Sequence, residues 1–133
     1  MLENNPTTVK IVFKNFPLRG HKYATTAAVA ALAAERQGKF WEFHDELFKF
    51  NKLLNDQRID EIAQKLALNL DQFEKDIKDR AIMEIIRQDY QEGVRMGVRA
   101  IPTVYINGKR FRGRGLNEFQ SAIEKELKKS SGN

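Results

Sequence analysis

The sequence predicts an α/β fold, a small mixed sheet with helices on its faces, and three observations predict it. Val9–Phe13 reads Val-Lys-Ile-Val-Phe, a short β-branched and apolar run. Five stretches with apolar residues at helical spacing come after it. Then Val104-Tyr105-Ile106, Asn107-Gly108 and Lys109-Arg110-Phe111 make a hairpin pattern. A strand that meets its neighbour only after a helical crossover pairs in parallel, whereas a hairpin pairs antiparallel within itself.

Each element has its own signal. Pro17 and Gly20 separate the first strand from the first helix. His21–Gln37 is an alanine-rich helix in which Ala24, Ala27, Ala28, Ala31 and Ala34 form a stripe of small residues, and Gly38 suits its stop. Such a stripe lets a helix axis approach a sheet closely. In the next helix Phe40, Phe43, His44, Leu47 and Phe48 have the spacing of one buried face, widened by Trp41 and Phe50. Glu42 and Glu46 are spaced i, i+4 and read as its solvated side. A third helix starts near Asp56 or Gln57 and turns Ile59, Ile62, Ala63 and Leu66 inward.

Asp71-Gln72-Phe73-Glu74 has the form of a capping box, with Asp71 as N-cap, and opens a short helix carrying Phe73 and Ile77. A longer helix runs from about Arg80 to Met96 with Ile82, Ile85, Ile86, Tyr90 and Val94 as its stripe. The second strand is Thr103–Ile106, the turn Asn107-Gly108, and the third strand about Lys109–Phe111. The last helix, from Leu116 to about Lys128, buries Leu116, Phe119, Ile123 and Leu127 and leaves a frayed polar tail.

The totals bound the function classes. A chain of 133 residues fits one domain and, by its size, buries roughly two-thirds of its unfolded surface. With 41% hydrophobic residues, nine Phe and one Trp it is globular. A net charge of +5 favours acidic partners only weakly. No apolar run approaches the ~20 residues of a membrane span, so no membrane partner is expected. Met1–Thr8 lacks the pattern of a signal peptide, and localisation is left open. Zero cysteine removes disulfides, thiolate metal ligands and a thiol nucleophile together.

The candidate sites are few. Pro102, at the head of a strand, stands where a sheet tolerates a missing N–H. His21 and His44 are the only histidines, too few to suggest a metal site, and His44 reads as a packed side chain on an apolar face. Ser121, Ser130 and Ser131 sit in no nucleophile motif. Lys109, Arg110, Arg112 and Arg114 cluster among glycines. They could meet nucleic-acid phosphates, but basic side chains also guard an edge strand against unwanted pairing, and the second reading is preferred. No metal and no cofactor is expected, and no catalytic residue is assigned.

Three segments in order carry a resemblance: Phe13-Lys14-Asn15-Phe16-Pro17-Leu18 with His21 and Ala24, Gln37-Gly38-Lys39-Phe40-Trp41 with His44 and Leu47-Phe48, and Gly97-Val98-Arg99-Ala100-Ile101-Pro102-Thr103 leading to Ile106-Asn107-Gly108. From about Val9 to Leu127 the chain resembles a DsbA-like thiol–disulfide oxidoreductase of thioredoxin fold. The resemblance implies a truncated thioredoxin-like mixed sheet over 9–128 with a helical insertion at about 39–96. It makes 1–8 a remnant of a preceding helix and loop, and 129–133 a disordered tail. It implies that Pro102 is cis and that Ala100, Ile101 and Pro102 form the floor of a site for an extended protein or peptide substrate. The family's C-x-x-C motif has no counterpart here, so the chain reads as a fragment inactive in thiol exchange, from a parent family that works outside the cytoplasm. A sheet lacking its central strand has open edges, which predicts a homo-oligomer or a changed pairing. The rival readings are a cysteine-free peptide-binding or chaperone-like module and a basic nucleic-acid-binding domain.

Overall fold

Six helices and one hairpin make up the computed structural model, which describes residues 4–18, 23–50, 53–113 and 115–131. They fall into two compact units, Lys14–Gly97 and the pair of segments Met1–Phe13 and Val98–Asn133. His21 and Arg114 lie outside the described residues.

The Lys14–Gly97 unit is helical, and α1 (Ala24–Glu35) is its axis. Val29 through Ala34 are all buried, six in succession, so this half of the helix is enclosed on every side rather than along one stripe. It packs against α2 (Phe40–Phe50), α3 (Asp56–Lys65), α4 (Leu70–Ile77) and α5 (Arg80–Arg95). Only a run of small side chains leaves room for four neighbours at helix-packing distance. The alanines therefore serve helix-to-helix approach in this unit. Gly38, with φ of 73°, lets the chain reverse after α1.

Around that axis the large side chains interlock. Phe43 and Phe73 are 0% and 1% exposed and stack with ring centroids 5.7 Å apart. Ile59, Ile62, Ala63, Leu68, Ile82 and Ile86 complete the core. Arg36, just past α1, joins it to α4 and the start of α5 through Asp76 Oδ1 at 2.8 Å and Asp79 Oδ2 at 2.9 Å.

Several faces differ from the sequence expectation. Phe48 is 72% exposed, and Trp41, Ile85 and Val94 also lie open, because the neighbours of α2 and α5 cover narrower arcs than their apolar stripes span. Glu46 is not on a solvated face. It is buried, its carboxylate held by Lys49 at 2.6 Å on the same helix and by Lys65 of α3 at 2.9 Å. The cap of α4 is Asn69, whose side chain accepts from the Gln72 N–H at 3.0 Å, so Asp71 is inside the helix rather than at its cap.

In the second unit β1 (Val104–Ile106) and β2 (Lys109–Phe111) pair antiparallel, Tyr105 opposite Arg110. Asn107 and Gly108 have φ of 48° and 80°, the two positive values that a type I′ turn demands. Helix α6 (Leu116–Ser131) runs three residues past the expected end at Lys128 and places Ile123 in the interior. Leu116, expected inside, is 57% exposed.

The first strand is the main structural correction. Val9–Phe13 is irregular, with Ile11, Val12 and Phe13 exposed. A strand exists only through its ladder partner, and β1 pairs with β2 alone among the described residues. The sheet among these residues is accordingly an antiparallel pair, and with the six helices it makes the expected α/β fold in truncated form.

Candidate substrate-binding site

The loop Ala100–Thr103 enters β1 and is exposed over Ala100, Ile101 and Pro102. The Ile101–Pro102 peptide bond is cis. Thr103 Oγ1 donates to the Ala100 carbonyl at 2.6 Å and closes the loop on itself. Ile101 is 51% exposed, a large apolar side chain presented to solvent. The three residues singled out in the sequence thus form one contiguous surface. Thr103 is a member that sequence reasoning missed. Its signal is a hydroxyl directly after the proline, within reach of a carbonyl three residues back.

The hairpin behind the loop is anchored on α6. The Phe111 ring lies 4.2 Å from that of Phe119, centroid to centroid. Glu126 of α6 gathers Lys109 at 3.6 Å, Lys129 at 3.2 Å and Asn107 Nδ2 at 3.4 Å. The Lys129 and Asn107 hydrogen bonds hold the Glu126 carboxyl below the usual glutamate range. Gly113 is required at its position, since a Cβ would run into the Phe111 ring and Glu118. Asn5, buried, donates to Gln120 Oε1 at 2.8 Å and ties the N-terminal segment to the same helix.

Within the other unit, the motif around Asn15 docks on α5. The Asn15 backbone N–H and Nδ2 both donate to Asp89 Oδ2, at 3.0 and 2.9 Å, and Phe16 stacks on Tyr90 at 4.6 Å. His44 sits among Phe40, Trp41 and Phe48, with ring centroids 5.9, 5.4 and 4.6 Å away, and its Nδ1 is 3.4 Å from Asp45 Oδ1. It is an aromatic-cluster residue, and among the described residues no group of His, Asp and Glu converges as metal ligands would. Among the described residues no helix is long and apolar enough to cross a membrane.

A family model described as thioredoxin matches residues 4–125. The chain is 32% identical over 129 residues to the probable disulfide bond formation protein D of Bacillus anthracis.

The chain belongs to the DsbA-like, thioredoxin-fold family.

That relative is matched over 91% of this chain and 59% of its own length. The chain is also 38% identical over 108 residues to the Na(+)/H(+) antiporter NhaA 3 of Salinispora tropica, covering 80% of this chain but 17% of the antiporter. The Na(+)/H(+) antiporter NhaA 1 of Salinispora arenicola is 36% identical over the same length and coverage. The chain thus spans less than two-thirds of each of these relatives. No solved structure matches it. The 133 residues contain no cysteine with which to exchange disulfides.

Proposed function

We propose that this chain supplies the substrate-shaping half of a DsbA-like disulfide oxidoreductase site, with Ala100, Ile101 and Pro102 receiving an extended polypeptide. The observation that carries this reading is the exposed Ala100–Pro102 loop at the head of β1 in a member of that family. An extended ligand beside a strand end gains affinity from main-chain hydrogen bonds and selectivity from side-chain contacts. The apolar surface of Ile101 offers such a contact.

The 133 residues by themselves bind without catalysing. Disulfide exchange requires a thiolate attacking sulfur, and no other side chain replaces it. Two measurements test the proposal. A reductase assay on an insulin disulfide is expected to show no turnover above buffer, and measurable turnover defeats the claim of inactivity. A titration with an extended, apolar-centred peptide, followed by backbone amide NMR, is expected to shift Ala100, Ile101 and Thr103. Shifts confined to other residues refute the assignment of the loop.

A further inference from the structure

The net charge is not shared between the two units. Met1–Phe13 with Val98–Asn133 holds nine Lys or Arg and four Asp or Glu, a net of +5, whereas Lys14–Gly97 holds fourteen of each. The whole excess lies on the unit that carries the substrate loop.

Within that unit the negative charge of the described residues is confined to one helix, which carries Lys125, Lys128 and Lys129 as well. The acidic side chains of its described residues, Glu118, Glu124 and Glu126, all belong to α6. The hairpin face packed on α6 carries Phe111 and Lys109, and Glu126 neutralises that lysine. Side chains alternate along a strand, so Arg110, opposite Tyr105, lies on the other face. Arg112 comes just past the end of β2, and Arg99 immediately precedes Ala100. All three arginines are exposed, and none has a carboxylate within ion-pairing distance among the described residues. A guanidinium is always charged and presents a fork that fits a carboxylate in two hydrogen bonds.

We infer that the ligand of this loop is an acidic polypeptide segment, seated at Ile101 and flanked by Arg99, Arg110 and Arg112. The inference rests on the proposed substrate-binding role of the loop and names the substrate class. An exposed ion pair multiplies affinity by about two, so three of them compound to roughly tenfold at low ionic strength. Salt screens such pairs, and the preference shrinks as salt is added.

The test uses the full 133-residue chain and two fluorescent peptides that share an apolar centre and differ in having Glu or Gln at the flanking positions. Anisotropy titrations are expected to give about tenfold tighter binding of the Glu peptide at low salt, and a smaller ratio at physiological salt. In the triple variant Arg99→Gln, Arg110→Gln, Arg112→Gln the ratio is expected to fall to about one with the Gln peptide unaffected. Circular dichroism checks that the variant is folded. Equal binding of the two peptides to the native chain overturns the inference but leaves the substrate-binding reading intact, provided that Ile101→Ala weakens both. A preference that survives the triple substitution overturns it as well. Binding of neither peptide defeats the substrate-binding reading and the inference together. Arginine-dependent binding to anionic vesicles or to DNA, without discrimination between the peptides, assigns the patch to another polyanion and overturns the inference.

Discussion

Replacing Ile101 by Ala removes the large exposed aliphatic side chain of the loop, and the size of the effect comes from exposure. Fully burying an isoleucine stabilises by about 1.5–3 kcal/mol. Ile101 is 51% exposed, so about half of that gain has been realised in the folded chain and half is left for a ligand to collect. A ligand covering the residue gains about 1 kcal/mol there, and Ile101→Ala is expected to weaken peptide binding about fivefold. Stability should fall by about 1 kcal/mol as well, the part of the burial gain that the folded chain has already realised. The assay is a peptide titration by anisotropy on the native chain and on two variants, Ile101→Ala and Ile85→Ala. Ile85 is a comparably exposed isoleucine, at 44%, on α5 of the other unit, and it controls for adhesion to any apolar surface. An unchanged dissociation constant for Ile101→Ala, or an equal loss for Ile85→Ala, refutes the reasoning.

Three further outcomes are expected. On α2, Phe43→Ala removes a fully buried ring stacked on Phe73 and should cost about 3–5 kcal/mol, whereas Phe48→Ala should cost under about 0.5 kcal/mol; urea midpoints that shift alike contradict the burial assignment. Should Phe43→Ala not fold, Phe43→Leu provides the same comparison with a smaller loss. Asn69→Ala is expected to destabilise by about 1 kcal/mol and Asp71→Ala by clearly less, because Asn69 makes the cap hydrogen bond. Glu46 is held below the usual glutamate range first by the Lys49 hydrogen bond and then by Lys65. The folded chain therefore binds fewer protons at this site than the unfolded chain. Its stabilisation is present above the ordinary glutamate value of about 4.3 and is lost as pH falls through the lower folded value. Thermal melts between neutral pH and pH 3 should show a shallower acid loss for Glu46→Gln, and an identical slope rules this out.

The elements that local chemistry specifies are legible in the sequence, and those that depend on a partner are not. The hairpin is written in Asn107-Gly108, whose positive φ values are properties of those two residues. The helices are written in apolar spacing, and the start of α3 and both ends of α5 fall within about a residue of where the sequence puts them. The cap of α4 is ambiguous in sequence because Asn69 and Asp71 are both good N-caps, and the choice belongs to the turn that precedes the helix. Burial departs from the apolar pattern where a stripe is wider than its neighbour. Phe43 and Phe48 share a pattern, yet α1 and α4 cover only the first. The burial of Glu46 is hidden in the sequence because its partner Lys65 lies nineteen residues away and on another helix.

The sequence by itself determined that no thiol chemistry is available to these 133 residues, because that depends only on residue identity. It also marked Ala100, Ile101 and Pro102 as a candidate surface through short motifs in family order. Tertiary structure decided the rest. Val9–Phe13 has the composition of a strand, but a ladder needs two chains' worth of backbone groups, and none of the described residues pairs with it. The alanine helix became the axis of a four-neighbour bundle because small side chains permit close approach without saying from which side. The arginines of the hairpin acquired a face of their own only once pairing register set Lys109 against α6 and left Arg110 on the opposite side. Composition and local conformation are written in single residues; burial, pairing and the placement of charge arise between segments far apart in the chain.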